Sequence, residues 1–598
     1  MDNSRNIILA VVLSIALLFG WQFAMSRLYP EPQHPAVATA QQAAPVPGAQ
    51  PSGTAPPPKV KPSREGGLQD SGDIALEQRD LATELRQPTR VRIDAPEVLG
   101  SINLVGARID DIQLRSHRQT IDKNSPPERL FSPEGTPAQQ FAQFGWVGQG
   151  VKVPDAHTVW QASGGPLAPG KPVTLTWDNG AGQVFSIRFT IDDRYMITAQ
   201  QTVANTAGTP VSVQPYSFLN RTSLTASQSS WYVHSGPIGA FGGAVDFSND
   251  YKDVAKAGEV KPEGQPDWIG FTDIYWFSAL IPQAGAPTST DFRALDPEHY
   301  RADLIYTPTT VSAGEALTRT TRLFAGAKES DVLNAYENAG VTKFDRAIDW
   351  GWFIWFEVPI FWLLIHLYKL VGNFGVAIIL LTFIVRGLML PVAHKQFASM
   401  AQMRAVQPKM KALQERYKDN KEQLQQEMAK LYKEEKINPL TGCLPIFLQI
   451  PVFFALYKTL QLSVEMRHKP FVWWIKDLSA PDPSHIINLF GLLHFTPPSI
   501  LSLGVLGLIY GITMWLTFRL NPAQMDPTQQ QIMGLMPWVM MFVMSAWPAG
   551  FLLYWITSNL ISVVQQQYLY SKHPQLKAQA AKAKNDKARA AARDKGKG

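Results

Sequence analysis

Uncharged apolar runs in two separate regions, residues 7–24 and much of 350–570, constrain this 598-residue chain more than any other feature. About 20 apolar residues in a helix cross the roughly 30 Å hydrocarbon core of a bilayer. The chain-wide mean hydropathy of −0.09 averages these runs with a polar remainder and conceals them. One uniform soluble globule is excluded. Ile7–Ala24 carries no charge and sits between Arg5 and Arg27. A cleaved leader would have a shorter apolar region with small residues close behind. Trp21, Gln22, Arg27 and Tyr29 stand there instead, so residues 1–28 are expected to be an uncleaved anchor. Further spans are expected at about Gly372–Pro391, Cys443–Ser463, Ser499–Phe518, Gln531–Trp547 and Ala549–Tyr568, six in all with the anchor. Asp349–Leu370 is dense in Trp and Phe but carries Glu357, His366 and Lys369. Such a segment favours the bilayer surface, so 346–371 is read as an interfacial amphipathic helix, the alternative being the start of the next span.

Charge placement orients these spans. A net charge of +6 would by itself suit a nucleic-acid binder, but the excess flanks the apolar runs. Ten Lys and Arg lie within 392–442 and nine follow Tyr570. Basic segments of this kind stay in the cytoplasm. Four crossings separate the two, so both fit on that side. Counting back places the N-terminus in the cytoplasm and residues about 26–350 outside. DNA is not an expected partner.

Residues 29–74, rich in Pro, Ala, Gln and Gly, lack the large apolar side chains of a core and read as a disordered, extended linker. Residues 75–345 read as one large β-domain. Val173–Trp177 and Val184–Thr190 alternate apolar and polar residues around a turn-forming Asp-Asn-Gly-Ala-Gly, which signals a hairpin. Short runs at Ile102–Val105, Met196–Val203, Val211–Phe218 and Trp276–Ile281 repeat the pattern, and helical periodicity is scarce before Glu329–Ala339. An antiparallel sandwich is expected. Residues 395–438 are hydrophilic with a helical stripe of Met400, Met403, Met410, Leu413 and Tyr417, resumed by Leu424, Met428 and Leu431. Asn420 with Gln423 resembles a capping box. Two antiparallel helices, a cytoplasmic hairpin, are expected; the Met stripe either packs them together or offers an adaptable surface to partners.

Signatures of catalysis are nearly absent. Gly165–Pro172 approaches a phosphate-binding loop but lacks the closing Ser or Thr, and a β-run follows where a helix should begin. The sequence has no HExxH and no GxSxG. Its single cysteine, Cys443, excludes an intramolecular disulfide and a cysteine-based zinc cluster. His366, His394, His468, His485 and His494 are scattered near segment ends. No enzyme activity, metal or cofactor is expected. The sharper signal is Arg386, inside an apolar run; a mid-membrane charge costs about 2.5–3.5 kcal/mol and usually serves a function. Arg386 is five residues from Pro391, roughly 7–8 Å along a helix, so snorkelling to cytoplasmic headgroups is an equal reading. Thr382 lies one turn earlier on the same face. With Gln449, Ser558 and Asn559 these residues suggest a hydrated, positively charged cavity, or else single interhelical hydrogen bonds.

Thr382–Pro391, Gln407-Pro408-Lys409, Asn438–Pro451, Leu478–Pro483, Asp526–Met533 and Pro548–Asn559 together, in this order, resemble the YidC/Oxa/Alb family of membrane protein insertases. The anchor and large outer domain are similar to the Gram-negative form. The resemblance implies a polytopic α-helical membrane protein with a five-helix insertase core over 372–570, a periplasmic all-β supersandwich domain of sugar-mutarotase-like type, and a basic cytoplasmic tail over 571–598. It implies a bacterial inner-membrane location and a groove open to cytoplasm and lipid, with Arg386 in it. Hydrophobic contact with a client's transmembrane segment would come from around Ile450, Phe453, Tyr554 and Trp555. Trp555 stands where many bacterial members have a second tyrosine, which puts any role of that hydroxyl in doubt. Implied partners are nascent membrane proteins, membrane lipids, the Sec translocon with its accessory components, and ribosome–nascent chain complexes. A small-solute transporter would more often show inverted repeats. An anchored periplasmic carbohydrate-binding protein would leave the C-terminal spans unexplained.

Overall fold

The computed structural model describes residues 81–572 except 82, 87–88, 123, 228–232, 352, 395–405, 407–408, 411, 418–419, 436–443, 487–488, 490–492, 494–502 and 521–526. The expected anchor (1–28), the linker (29–74) and the tail beyond 572 lie outside the described residues.

The strand-patterned sequence forms two large antiparallel sheets. One has ten strands, in spatial order Arg90–Asp94, Val98–Asn103, Arg108–Arg118, Gln140–Gln149, Val211–Thr222, His299–Tyr306, Thr288–Ala294 and Glu259–Val260. Pro127–Phe131 and Thr309–Val311 pair onto its third and fifth strands. The other has nine, in the order Ala244–Asp246, Gly236–Phe241, Pro266–Thr272, Trp276–Ile281, Ala316–Ala327, Met196–Asn205, Gln183–Ile191, Val173–Asp178 and Gln161–Ser163. The expected hairpin is present, in register from Val173 opposite Phe189 to Asp178 opposite Val184. Asn179 Oδ1 fixes its turn by accepting from the backbone N–H of Ala181 and Gln183. Phe185, Ile187 and Phe189 alternate inward and pack with Trp146 and Phe144 of the facing sheet. Two glutamines bridge the layers. Gln201 Nε2 donates to the carbonyls of Gly145 (2.8 Å) and Tyr216 (3.2 Å), and Gln140 Nε2 donates to Ser278 Oγ (2.9 Å). Each bond contributes about 0.5–1.5 kcal/mol, and burying its polar groups unpaired would cost more.

Helices α1 (Tyr251–Ala257) and α2 (Ser330–Asn338) belong to this domain, and seven more described helices follow. These are α3 (Ile354–Val371), α4 (Phe374–Leu388), α5 (Lys421–Glu434), α6 (Leu444–Leu462), α7 (Val505–Leu520), α8 (Pro527–Ser545) and α9 (Ala549–Lys572). α3 packs on α4 and α6, while α9 packs on α4, α6 and α7. At the α7–α8 contact, Gly507 and Gly511 lie one turn apart. A Cβ on Gly507 would come within 2.0 Å of Ser545 Oγ, so small residues permit the close approach. Among the described residues α3 alone is long and apolar enough to cross a membrane by length and composition; α4, α7 and Gly534–Ser545 are shorter apolar helices. α7 begins at Val505; Ser499, the approximate start expected from the sequence, lies outside the described residues. Gly504 instead bridges to His485, and the buried Asp482 carboxylate accepts from Leu506 N–H at 2.7 Å, closing the helix's first turn.

Asn420 caps α5 as its sequence implies, accepting from Gln423 N–H at 3.1 Å. The preceding helical residues double back on α5: Lys409 Nζ meets Glu435 Oε1 at 2.6 Å, and Val406, Met410 and Leu413 pack with Leu431 and Tyr432. Met410 is thus spent on packing the hairpin. Met400 and Met403 lie outside the described residues.

The β-domain joins the helices through buried charge. Arg467, just after α6, donates to Glu128 Oε2 at 3.0 Å and to the carbonyl of Arg118 at 2.7 Å, and its guanidinium lies 5.0 Å from the Trp276 ring centre. Asp349 accepts from Lys458 Nζ of α6 at 3.2 Å and from His234 N–H at 3.2 Å. Lys328, fully enclosed nearby, donates to Thr272 Oγ1 at 3.2 Å.

Two outcomes follow from this junction. Arg467→Ala leaves Glu128 buried without its cation and costs about 3–5 kcal/mol, whereas Arg467→Met combined with Glu128→Leu costs much less; urea unfolding of the intact chain measures both. Burial pushes the Lys328 ammonium down to about 8 from 10.5. Between those values the folded chain binds fewer protons than the unfolded chain, so this group's contribution makes stability rise with pH. Lys328→Met therefore removes about 2 kcal/mol from the difference in unfolding free energy between about pH 7.5 and 9.5.

Candidate functional site

α4 is fixed at its start. Asn373 Oδ1 accepts from Val376 N–H at 3.1 Å, and its Nδ2 donates to the Phe471 carbonyl at 3.0 Å. Thirteen residues on, Arg386 lies in the last turn of α4, where a cation also suits the helix dipole. Its guanidinium is part-buried and donates from Nε to Ser558 Oγ at 2.8 Å, with Nη2 bonding the same oxygen. Ser558 is fully buried on α9. One turn earlier on α9 stands Tyr554, also buried, whose hydroxyl accepts from Gln449 Nε2 of α6 at 3.0 Å. Arg386, Ser558, Tyr554 and Gln449 thus form a polar band across three helices. Among the described residues no carboxylate pairs with Arg386.

Two of the expected groove residues turn elsewhere. Thr382 is fully buried and donates to the Ile378 carbonyl of its own helix at 2.6 Å. Asn559 donates to Thr513 Oγ1 of α7 at 3.3 Å, away from the band.

Beside the band runs an aromatic wall. Phe453 lies 5.5 Å from Phe551 and 6.1 Å from Trp555, ring centre to ring centre. Tyr457 lies 4.7 Å from Trp547, and Trp547 stacks on Phe551 at 4.9 Å. Ile450 is exposed, whereas Tyr554 and Trp555 sit mostly inside. The Trp555 indole N–H is buried with no partner among the described residues. Sequence reasoning named Phe453, Tyr554 and Trp555 but missed Tyr457, Trp547 and Phe551. The signal was available: Phe453 with Tyr457 and Phe551 with Trp555 are aromatic pairs four apart, the spacing that shares a helix face.

The ends of the helices near Asp482 are stitched together. Ala549 and Gly550 N–H donate to the carbonyls of Ala480 (2.8 Å) and Leu478 (2.9 Å), and Asp482 also accepts from Trp474 Nε1 at 3.0 Å. The arrangement offers a fixed positive charge beside an apolar wall. It can attract carboxylates and receive an apolar helix, but it contains no nucleophile–base pair. No group of three His, Cys, Asp or Glu among the described residues could hold a metal ion.

Residues 90–363 match the family model of the YidC periplasmic domain, and residues 366–578 match that of the 60Kd inner membrane protein. The membrane protein insertase YidC of Zymomonas mobilis subsp. mobilis is 44% identical over 575 residues, covering 96% of each chain. That of Methylorubrum extorquens is 41% identical over 598 residues, again 96% of each chain. A crystal structure of an active YidC insertase, with its first transmembrane domain resolved, aligns over 80% of this chain and 92% of that one at 19% identity and a TM-score of 0.34. With such identity to these relatives over nearly its whole length, the chain belongs to the YidC family of membrane protein insertases.

Proposed function

We propose that this chain inserts, folds and helps assemble inner-membrane proteins through a hydrophilic groove around Arg386, open to cytoplasm and lipid. The observation that carries this reading is a part-buried guanidinium in an apolar helix bundle, held by a serine and opposed by no carboxylate among the described residues. Such a group attracts acidic client residues, and water around it screens the pair so that the contact can release again. The client's apolar segment passes Ile450 and the wall of Phe453, Tyr554 and Trp555 into lipid. Water in the groove lowers the cost of moving a short hydrophilic segment.

In this reading α4 and α6–α9, with Ile7–Ala24, are the six spans, and α3 lies along the outer bilayer surface. Two contacts support that placement of α3. Asp349, just before it, bonds His234 of the β-domain, and Lys369 in its last turn pairs with Asp331 of α2 at 3.2 Å. A helix whose two ends both touch the outer domain runs along that domain. Arg386 lies about 20 Å along α4 from Asn373, away from the outer domain, which supports a groove facing the cytoplasm. The N- and C-termini are cytoplasmic, residues about 26–350 periplasmic, and the protein is a multi-pass inner-membrane protein. Clients arrive alone, from ribosome–nascent chain complexes attracted to the basic tail 571–598, or from the Sec translocon and its accessory components.

The charge model is tested with Arg386→Glu and two clients that differ only in an acidic or a neutral outer tail. Insertion of the acidic client falls about tenfold more than that of the neutral one, about 1.4 kcal/mol of differential barrier. Equal losses for both clients contradict attraction by Arg386.

A further inference from the structure

The loop between α6 and α7 presents an apolar tip that the described fold does not cover. Val472 is exposed and Trp473 is 85% exposed. Trp473 holds φ at +51°, a region that bulky side chains rarely adopt. The base beneath it is rigid. Phe471 N–H donates to the Ile475 carbonyl at 2.9 Å, and Ile475 N–H donates to the Val472 carbonyl at 3.1 Å. Phe471 lies flat against Gly375 at the start of α4, where a Cβ would come within 2.0 Å of its ring. Trp474 is tied to Asp482, Ile475 is buried, and Trp473 stacks on Trp474 with ring centres 5.8 Å apart. Lys469 and Lys476 flank the turn and are both exposed. The Asn373 bond to Phe471 places the turn beside the α3–α4 corner, where Leu370 is also exposed.

A strained backbone that holds an indole in water has two costs and no return within the chain. At a bilayer surface both are offset, since Trp favours the headgroup region and lysines on either side complement anionic phosphates. The tip is convex and only two residues wide, which suits insertion between lipids better than a protein contact.

We propose that the Lys469–Lys476 turn is an interfacial anchor. Val472 and Trp473 enter the headgroup–acyl boundary of the outer leaflet, and Lys469 and Lys476 engage anionic phospholipid headgroups, setting the depth of the bundle at its outer end. The inference rests on the reading of α4 and α6–α9 as membrane-embedded.

The test uses the full chain with Cys443→Ser and Val472→Cys, carrying an environment-sensitive fluorophore, in vesicles of zwitterionic phospholipid with or without an anionic one. Val539→Cys on the exposed face of α8 is the companion site. The expected result is several-fold stronger quenching of the label at 472 by lipids spin-labelled near the headgroup than by aqueous iodide. Lys469→Gln with Lys476→Gln weakens that quenching in anionic vesicles only, and Trp473→Asp weakens it in both. Iodide quenching at 472 with lipid quenching retained at 539 overturns the anchor and leaves the embedded bundle intact. Iodide quenching at both sites overturns the embedded bundle and the anchor with it. Protection of 472 from both quenchers marks a protein contact and also overturns the anchor.

Discussion

A positive charge that the bundle does not neutralise is the constraint on which the rest of this structure depends. Placing a guanidinium at mid-membrane depth costs about 2.5–3.5 kcal/mol on insertion scales. Arg386 is held by Ser558, and among the described residues both of its bonds go to one oxygen. A guanidinium has five N–H donors, and those left over call for water or a client's acceptors. In the proposed reading the groove is therefore wet. The Tyr554 hydroxyl accepts from Gln449 and also lies close to Arg386 and Ser558, while its ring packs on the apolar side of the site. α6 and α9 carry both the polar and the apolar halves of the site, and α4 adds the charge.

The proposed groove needs a bundle closed at one end and open at the other. Backbone bonds from Ala549 and Gly550 to the 478–480 segment, together with the Asp482 carboxylate at the start of α7, tie the helices together at one end. The β-domain holds the same region through Arg467 and Glu128, and through Asp349 and Lys458. The sandwich is thus tied to the helices by buried ion pairs. Its own stiffness comes from the aromatic core and from two glutamines that hydrogen-bond across the layers.

Local patterns were legible in the sequence, and long-range pairings were not. Alternation around Asp178–Gly182 placed the hairpin, and Asn420 with Gln423 placed the start of α5, because both signals act within a few residues. The group that caps the start of α7, Asp482, lies 24 residues before Leu506 in the chain, so no local pattern could announce it. Arg386 with Ser558 spans 172 positions, and Arg467 with Glu128 spans 339. The sequence nominates Arg386 and Ser558 as polar groups in an apolar setting but cannot pair them, and Arg467 and Glu128 lie in polar stretches that carry no such signal. The same limit explains Thr382 and Asn559. Both are polar groups on apolar helices; one serves its own backbone and the other serves α7.

The central claim is that this groove inserts membrane proteins without an energy source. Its most direct measurement is protease protection of a short single-span client added to liposomes that contain only this protein. The account predicts a correctly oriented, protected client above the level of empty liposomes and without nucleotide. No protection above that level, with the protein verified as folded and correctly oriented, contradicts it.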